Sequence, residues 1–115
     1  MHNFKELIIW QKSMELVTDV YQASFSIPKN QQYSLTDQIQ RSAVSIPSNI
    51  AEGSGRGTDK EFVRFLNISN GSCCELETQL TIAKNLSFLN NELTTEFIHR
   101  ISEIQKMNHA LRAKF

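Results

Sequence analysis

The chain has 115 residues, with 12 Lys plus Arg against 12 Asp plus Glu. That length makes one domain, residues 1–115, with enough surface to bury for a single core. A formal net charge of zero leaves no global field to draw the chain onto nucleic acid or anionic lipid, so any such binding needs a local patch or a patch repeated in an oligomer.

The charges are spread evenly, and no basic or acidic tail emerges. The opening MHNFKELIIW reaches an acidic residue at once, unlike a secretory leader, and no apolar run approaches the roughly 20 residues of a membrane span. The expectation is a reducing cytoplasm. The two cysteines, Cys73 and Cys74, are adjacent, and on a helix they point about 100° apart. They make neither a disulfide framework nor a zinc site.

The first helix is predicted to open at Asn3 or Phe4. Leu7, Trp10, Met14, Val17 and Tyr21 follow at alternating spacings of about three and four, which predicts its core seam. Ile9, Leu16 and Val20 add a second apolar stripe. Two stripes imply either burial on two sides or one wide core face. Pro28, preceded by Ile27, ends the element.

A short polar loop, residues 29–32, leads to a second helix beginning near Tyr33 or Ser34. Leu35, Ile39, Ser42 or Ala43, Ile46 and Ile50 carry its pattern through Pro47. Proline lacks the N–H that would bond the Ala43 carbonyl, and its ring presses on the same turn. The reading is a kinked but continuous helix. A break, with Ser45 capping a new helix that holds Pro47 in its first turn, is the alternative. Ser42, Ser45 and Ser48 offer hydroxyls for freed backbone groups and permit close helix approach. Gly53, Gly55 and Gly57 end the element.

Thr58-Asp59-Lys60-Glu61 has the form of a capping box. The third helix then carries Phe62, Leu66, Ser69, Cys73, Leu76, Leu80 and Ala83 at unbroken four-three spacing. Gly71 sits mid-helix at a cost of about 1 kcal/mol relative to Ala, which predicts a tight helix crossing there. A turn over 85–91 precedes a fourth helix with Leu93, Phe97, Ile101, Ile104, Asn108 and Leu111 as its seam, ending around Arg112. Four helices, three short connections and no strand signal predict an all-α, antiparallel up-down-up-down four-helix bundle.

Catalytic patterns are sparse. A di-iron bundle needs Glu-x-x-His on two helices, and the chain has none. Of the histidines His2, His99 and His109, His99 is paired in sequence with Glu103 at a four-residue spacing suited to a surface contact. The serines have no base partner at defined spacing. GSGRG precedes a helix but lacks the strand and Lys-Ser/Thr of a P-loop, so it reads as a connecting turn. The expectation is a protein that is not an enzyme, with no metal, cofactor or small-molecule substrate. Asn49, Glu52, Glu75, Glu77 and Gln79 are expected to form a structural polar cluster where helices two and three meet. Arg41, Arg56 and Arg64 are the candidates for a nucleic-acid patch, against a default of a solvated, carboxylate-matched face.

SIPSNIAEG at 45–53, WQKSMELV at 10–17, EFVRFLNIS at 61–69 and GSCCELETQL at 71–80 resemble the four-helix-bundle proteins encoded in intervening sequences of 23S ribosomal RNA genes. That family includes the accessory protein of diversity-generating retroelements. The resemblance covers nearly the whole chain and is weakest in the fourth helix. It implies a ring-like homopentamer and, for the retroelement relatives, binding to nucleic acid and a reverse transcriptase through a basic surface. This chain departs from those relatives in being neutral. Two functions follow as expectations: an oligomeric scaffold acting on RNA or an RNA-processing partner, or a purely structural or protein-interaction module. Self-association is also expected from the residues, since the stripe of Ile9, Leu16 and Val20, with Phe65 and Ile68, exceeds what one bundle needs.

Overall fold

A computed structural model describes residues 3–115. It contains four α-helices: α1 (Ile8–Ser24), α2 (Asp37–Ser54), α3 (Asp59–Asn85) and α4 (Asn91–Arg112). No strand occurs among the described residues. The helices pack as an all-α four-helix bundle, with α1 against α2 and α4, and α3 against α2 and α4. The core is one continuous cluster drawn from all four helices, including Leu16, Ile39, Ile46, Ile50, Phe62, Leu66, Leu76, Leu80, Phe97, Ile101 and Ile104.

The chain enters through a 3₁₀ turn, Phe4–Glu6, capped by Asn3, whose side chain accepts from the Lys5 N–H at 3.2 Å. Leu7 is extended, so α1 starts at Ile8, later than the sequence pattern suggests. The inward face of α1 is centred on the second stripe, with Leu7, Trp10 and Val17 of the predicted seam packed at its edge, so the helix has one wide core face. Ile9, Ser13, Leu16, Val20 and Ser24 are buried, while Met14 and Tyr21 are each 40% exposed and Leu7, Trp10 and Val17 are half-buried. The physical reason is the two serines. Ser13 donates to the Ile9 carbonyl at 2.6 Å and Ser24 to the Tyr21 carbonyl at 2.6 Å, so each enters the core with its hydroxyl satisfied. Their small size lets the neighbouring helices lie close, and Met14 and Tyr21 are left outside.

A 3₁₀ turn, Lys29–Gln31, and a π-helical turn, Gln32–Thr36, lead into α2. Thr36 Oγ1 is buried there without a hydrogen-bond partner. Helix α2 runs without interruption through Pro47, which is itself buried. The alternative of a break at Ser45 is therefore wrong, because the apolar face Ile39–Ala43–Ile46–Ile50 gains more by staying in phase than one lost backbone bond costs. The Ser42 and Ser45 hydroxyls are spent elsewhere than on the Ala43 carbonyl, as described below.

Gly53 lies inside α2 rather than ending it. A Cβ there would sit 2.6 Å from Phe65 Cβ on α3, so at this glycine the two helices approach too closely for a side chain. Gly71 was expected to mark that crossing, and it does not: a Cβ at Gly71 meets nothing within 4 Å, and the residue is exposed. Gly57, at φ +90°, turns the chain between α2 and α3, where a side chain would be strained. Thr58 Oγ1 accepts from the Glu61 N–H at 3.2 Å, but only half of the capping box forms, since the Glu61 carboxylate turns to Arg64 at 3.4 Å. The seven predicted seam residues of α3 are all buried. Asn90 caps α4 by accepting from the Leu93 N–H at 2.7 Å.

The last turn of α4 is fastened to α3 by polar contacts. Asn108, fully buried, donates to the Leu66 carbonyl at 2.9 Å and accepts from Arg112 Nε at 2.7 Å. Arg112 continues to Asn67 Oδ1 at 2.5 Å, and the Phe115 ring meets Phe62 edge-on at 5.6 Å.

Candidate functional site

Small residues recur three apart on both faces of the α2–α3 contact: Ser42 and Ser45 on one helix, Ser69 and Ser72 on the other. That spacing brings the backbones together and stacks polar contacts along the seam. Ser42 Oγ meets Gln79 Oε1 at 2.6 Å, Ser45 Oγ meets Ser72 Oγ at 2.7 Å, and Ser69 donates to the Ile46 carbonyl at 2.9 Å. Asn49 Nδ2 donates to the Ser45 carbonyl and hydroxyl at 2.8 and 2.9 Å. The seam thus uses Asn49 and Gln79 of the five polar residues singled out in the sequence. Glu52 and Glu75 are exposed outside it, and Glu77 is half-buried near Cys73. Ser72 completes the seam and was not singled out, although its three-residue spacing from Ser69 is the signal that finds it. Each serine hydroxyl of the seam is matched within the protein, which makes the seam a device for fixing register rather than for holding a ligand.

The three candidate arginines divide into one and two. Arg41 pairs with Asp37 at 3.0 Å, in the first turns of α2. Arg56 lies just past the far end of α2, fifteen residues on and therefore roughly 20 Å distant along the helix, and Arg64 stands beside it on α3. They converge on one ring: Arg56 Cζ is 4.9 Å and Arg64 Cζ 5.1 Å from the Phe65 centroid. Each also holds a carboxylate, Arg56 with Glu52 at 3.0 Å and Arg64 with Glu61 at 3.4 Å. The pair presents exposed, planar N–H donors that suit a carboxylate or phosphate, with each of its two charges already answered by one carboxylate. Phe65 is the organising residue of this spot. Its position outside the α3 seam, between the two arginines in the fold, could not be read from sequence spacing alone.

Two further features are on the surface. The outward stripe of α1 continues from Met14 and Tyr21 to Phe25, which is 74% exposed and contacts Tyr21 edge-on at 6.2 Å. Beside it an open groove of about 410 Å³ is lined by Tyr21, Gln40, Arg41 and Val44 with Asp37 and Ser45. The cysteines face apart, Cys73 buried and Cys74 exposed. Burial, with the neighbouring Cys74 and Glu77 adding to it, pushes the Cys73 thiol from 9.0 up to about 12. His99 and Glu103 form an exposed pair at 4.0 Å. His2 lies outside the described residues. Among those described, no three His, Cys, Asp or Glu side chains are grouped to hold a metal ion, and no helix is long and apolar enough to cross a membrane.

Residues 5–110 match the family of 23S rRNA-intervening sequence proteins. A solved structure from Bacteroides thetaiotaomicron, a protein of unknown function from the S23 ribosomal protein family, is 22% identical. It superposes with a TM-score of 0.84 over 91% of this chain and 98% of its own. No curated protein matches.

Proposed function

The chain belongs to the 23S rRNA-intervening sequence protein family, and from that premise we propose that it is a non-enzymatic, self-assembling helical bundle of the cytoplasm that acts through its surfaces on RNA or on an RNA-processing partner such as a reverse transcriptase. The observation that carries this reading is the outward stripe of α1. Trp10, Met14, Val17, Tyr21 and Phe25 remain wholly or partly uncovered on a helix whose other face is already in the core. Each such side chain gains roughly 1.5–3 kcal/mol when fully buried, so assembly is the way this protein gains most from its surface. The family resemblance supplies the number five and a ring. A ring would repeat the Arg56–Phe65–Arg64 spot about its axis, giving a neutral protomer a band of guanidinium groups.

Light scattering at tens of micromolar protein tests the assembly, and a monomer there would refute it. Fluorescence anisotropy with structured RNA across a salt series tests the binding. The expected result is an affinity that falls steeply with salt and falls further in Arg56→Ala/Arg64→Ala. The second reading, a protein-interaction module with no nucleic-acid role, is favoured by the carboxylate paired to each candidate arginine. RNA binding absent even at low salt would establish it over the first.

A further inference from the structure

Two exposed surfaces on either side of α2 match each other. The first is the outer line of α3, where Ile68, Gly71, Glu75, Thr78 and Ile82 follow at spacings of three, four, three and four, all exposed. It presents a carboxylate between two isoleucines that are 41% and 43% exposed. Glu75 makes no ion pair within its own chain among the described residues. Gly71 weakens the helix, yet nothing in the protomer uses the space it leaves open. The second surface is the groove between α1 and α2, walled by Tyr21 and Val44 and edged by Arg41. Asp37 takes only the Nε of Arg41, at 3.0 Å. The two terminal nitrogens of that guanidinium make no hydrogen bond among the described residues, and the side chain is 79% exposed. An apolar wall beside an open guanidinium edge suits a helix that carries a carboxylate among aliphatic side chains.

We propose that the outer line of α3 docks into the α1–α2 groove of the next copy of the chain, head to tail, with Glu75 on the open edge of Arg41 and the Tyr21 ring over Gly71. This contact rests on the self-assembly inferred above and supplies its two surfaces. Charge complementarity selects a second copy as the occupant, because one chain carries the unpaired carboxylate and the open guanidinium edge on unlike faces. Ile68 and Ile82 then meet the apolar wall of Tyr21 and Val44, and the bare backbone at Gly71 admits the tyrosine ring. Unlike faces cannot close a pair, so the contact repeats from copy to copy. Helix α2 packs against both α1 and α3. The two faces therefore stand at an angle about α2, and each copy is turned relative to the last, as a closed ring requires. The contact ends at Ile68. Arg64 lies one turn further toward the start of α3 and three turns from Glu75, about 16 Å, so the Arg56–Phe65–Arg64 spot stays open.

Light scattering and sedimentation of the full chain across a dilution series test it. The wild type is expected to assemble beyond two copies. Glu75→Arg and Arg41→Glu should each weaken every contact about tenfold, since either one turns an ion pair into a repulsion. Arg41→Glu/Glu75→Arg should restore assembly, which only a contact that sets these positions opposite each other would do. Gly71→Leu should yield monomers that keep a helical spectrum, because the leucine has open space in the protomer and fills the place of the Tyr21 ring. Full assembly of Gly71→Leu, or a double variant no stronger than the singles, overturns this contact and leaves self-assembly standing. A wild type that stops at two copies overturns it as well, since a head-to-tail contact leaves one of each surface free. A monomeric wild type refutes both.

Discussion

Replacing Gly53 by Ala should destabilise this protein, although the same change in most helix interiors stabilises. The ordinary gain is about 1 kcal/mol, from helix propensity. Against it stands the geometry: the new Cβ would be 2.6 Å from Phe65 Cβ, 3.3 Å from Phe62 Cδ1 and 3.4 Å from the Phe62 carbonyl oxygen. Two Cβ atoms are each fixed to a backbone, so no rotamer change relieves the contact. Helices α2 and α3 must separate, stretching the Ser42–Gln79, Ser45–Ser72 and Ser69–Ile46 contacts that lie along the same seam. Overpacking of this kind costs up to about 3 kcal/mol. The net loss is then about 1–2 kcal/mol, or roughly 4–8 °C in melting temperature for a domain of this size. Gly55→Ala is the control. It lies two residues on, at φ −88° and ψ −5°, with its nearest neighbours 3.7 Å from a built Cβ. It should be neutral or stabilising by up to about 1 kcal/mol. Both variants are compared with wild type by circular dichroism in urea at matched concentration, because assembly contributes to apparent stability. A Gly53→Ala midpoint at or above wild type would show that the close approach does not constrain the packing.

Other substitutions test the remaining buried polar groups. Thr36→Val should raise stability by about 1 kcal/mol in the same urea titration, since it replaces a buried hydroxyl that has no partner by a methyl of similar shape. Asn108→Ala should lower it by about 1–3 kcal/mol, because it removes both the bond to the Leu66 carbonyl and the acceptor for Arg112. With native protein, a thiol reagent at pH 8 should modify Cys74 quickly and Cys73 only on unfolding, as a mass spectrum of the digested chain would report. The Cys73 thiol has its folded pKa raised to about 12 from 9.0, so the folded state holds its proton more tightly than the unfolded chain. Its contribution to stability is fully present below pH 9 and is lost between 9 and 12 as the unfolded thiol ionises first. Cys73→Ser should flatten that alkaline decline in a pH series of urea midpoints.

The sequence by itself determined the number of helices, the buried seam of α3, the cap at Thr58 and the passage of α2 through Pro47. Each of these follows from local periodicity or from a residue's bond to its own helix end, and neither needs knowledge of the partner element. The inward face of α1 was decided only in the tertiary structure. Ile9–Leu16–Val20 and Trp10–Met14–Tyr21 both read as apolar stripes at helical spacing, and what separates them is that Ser13 and Ser24 let the first face lie closer to its neighbours. The two glycines show the same division. Sequence marked both Gly53 and Gly71 as special, one as a helix end and one as a crossing, and their roles depend on whether another helix lies above them. The arginine pair on Phe65 depends likewise on the turn at Gly57, which folds α2 back beside α3 and brings Arg56 onto the same ring as Arg64. Periodicity reports which residues of a helix share a face. Which face meets which, and at what distance, is set by the volumes of the side chains on both partners, and those meet only in the folded bundle.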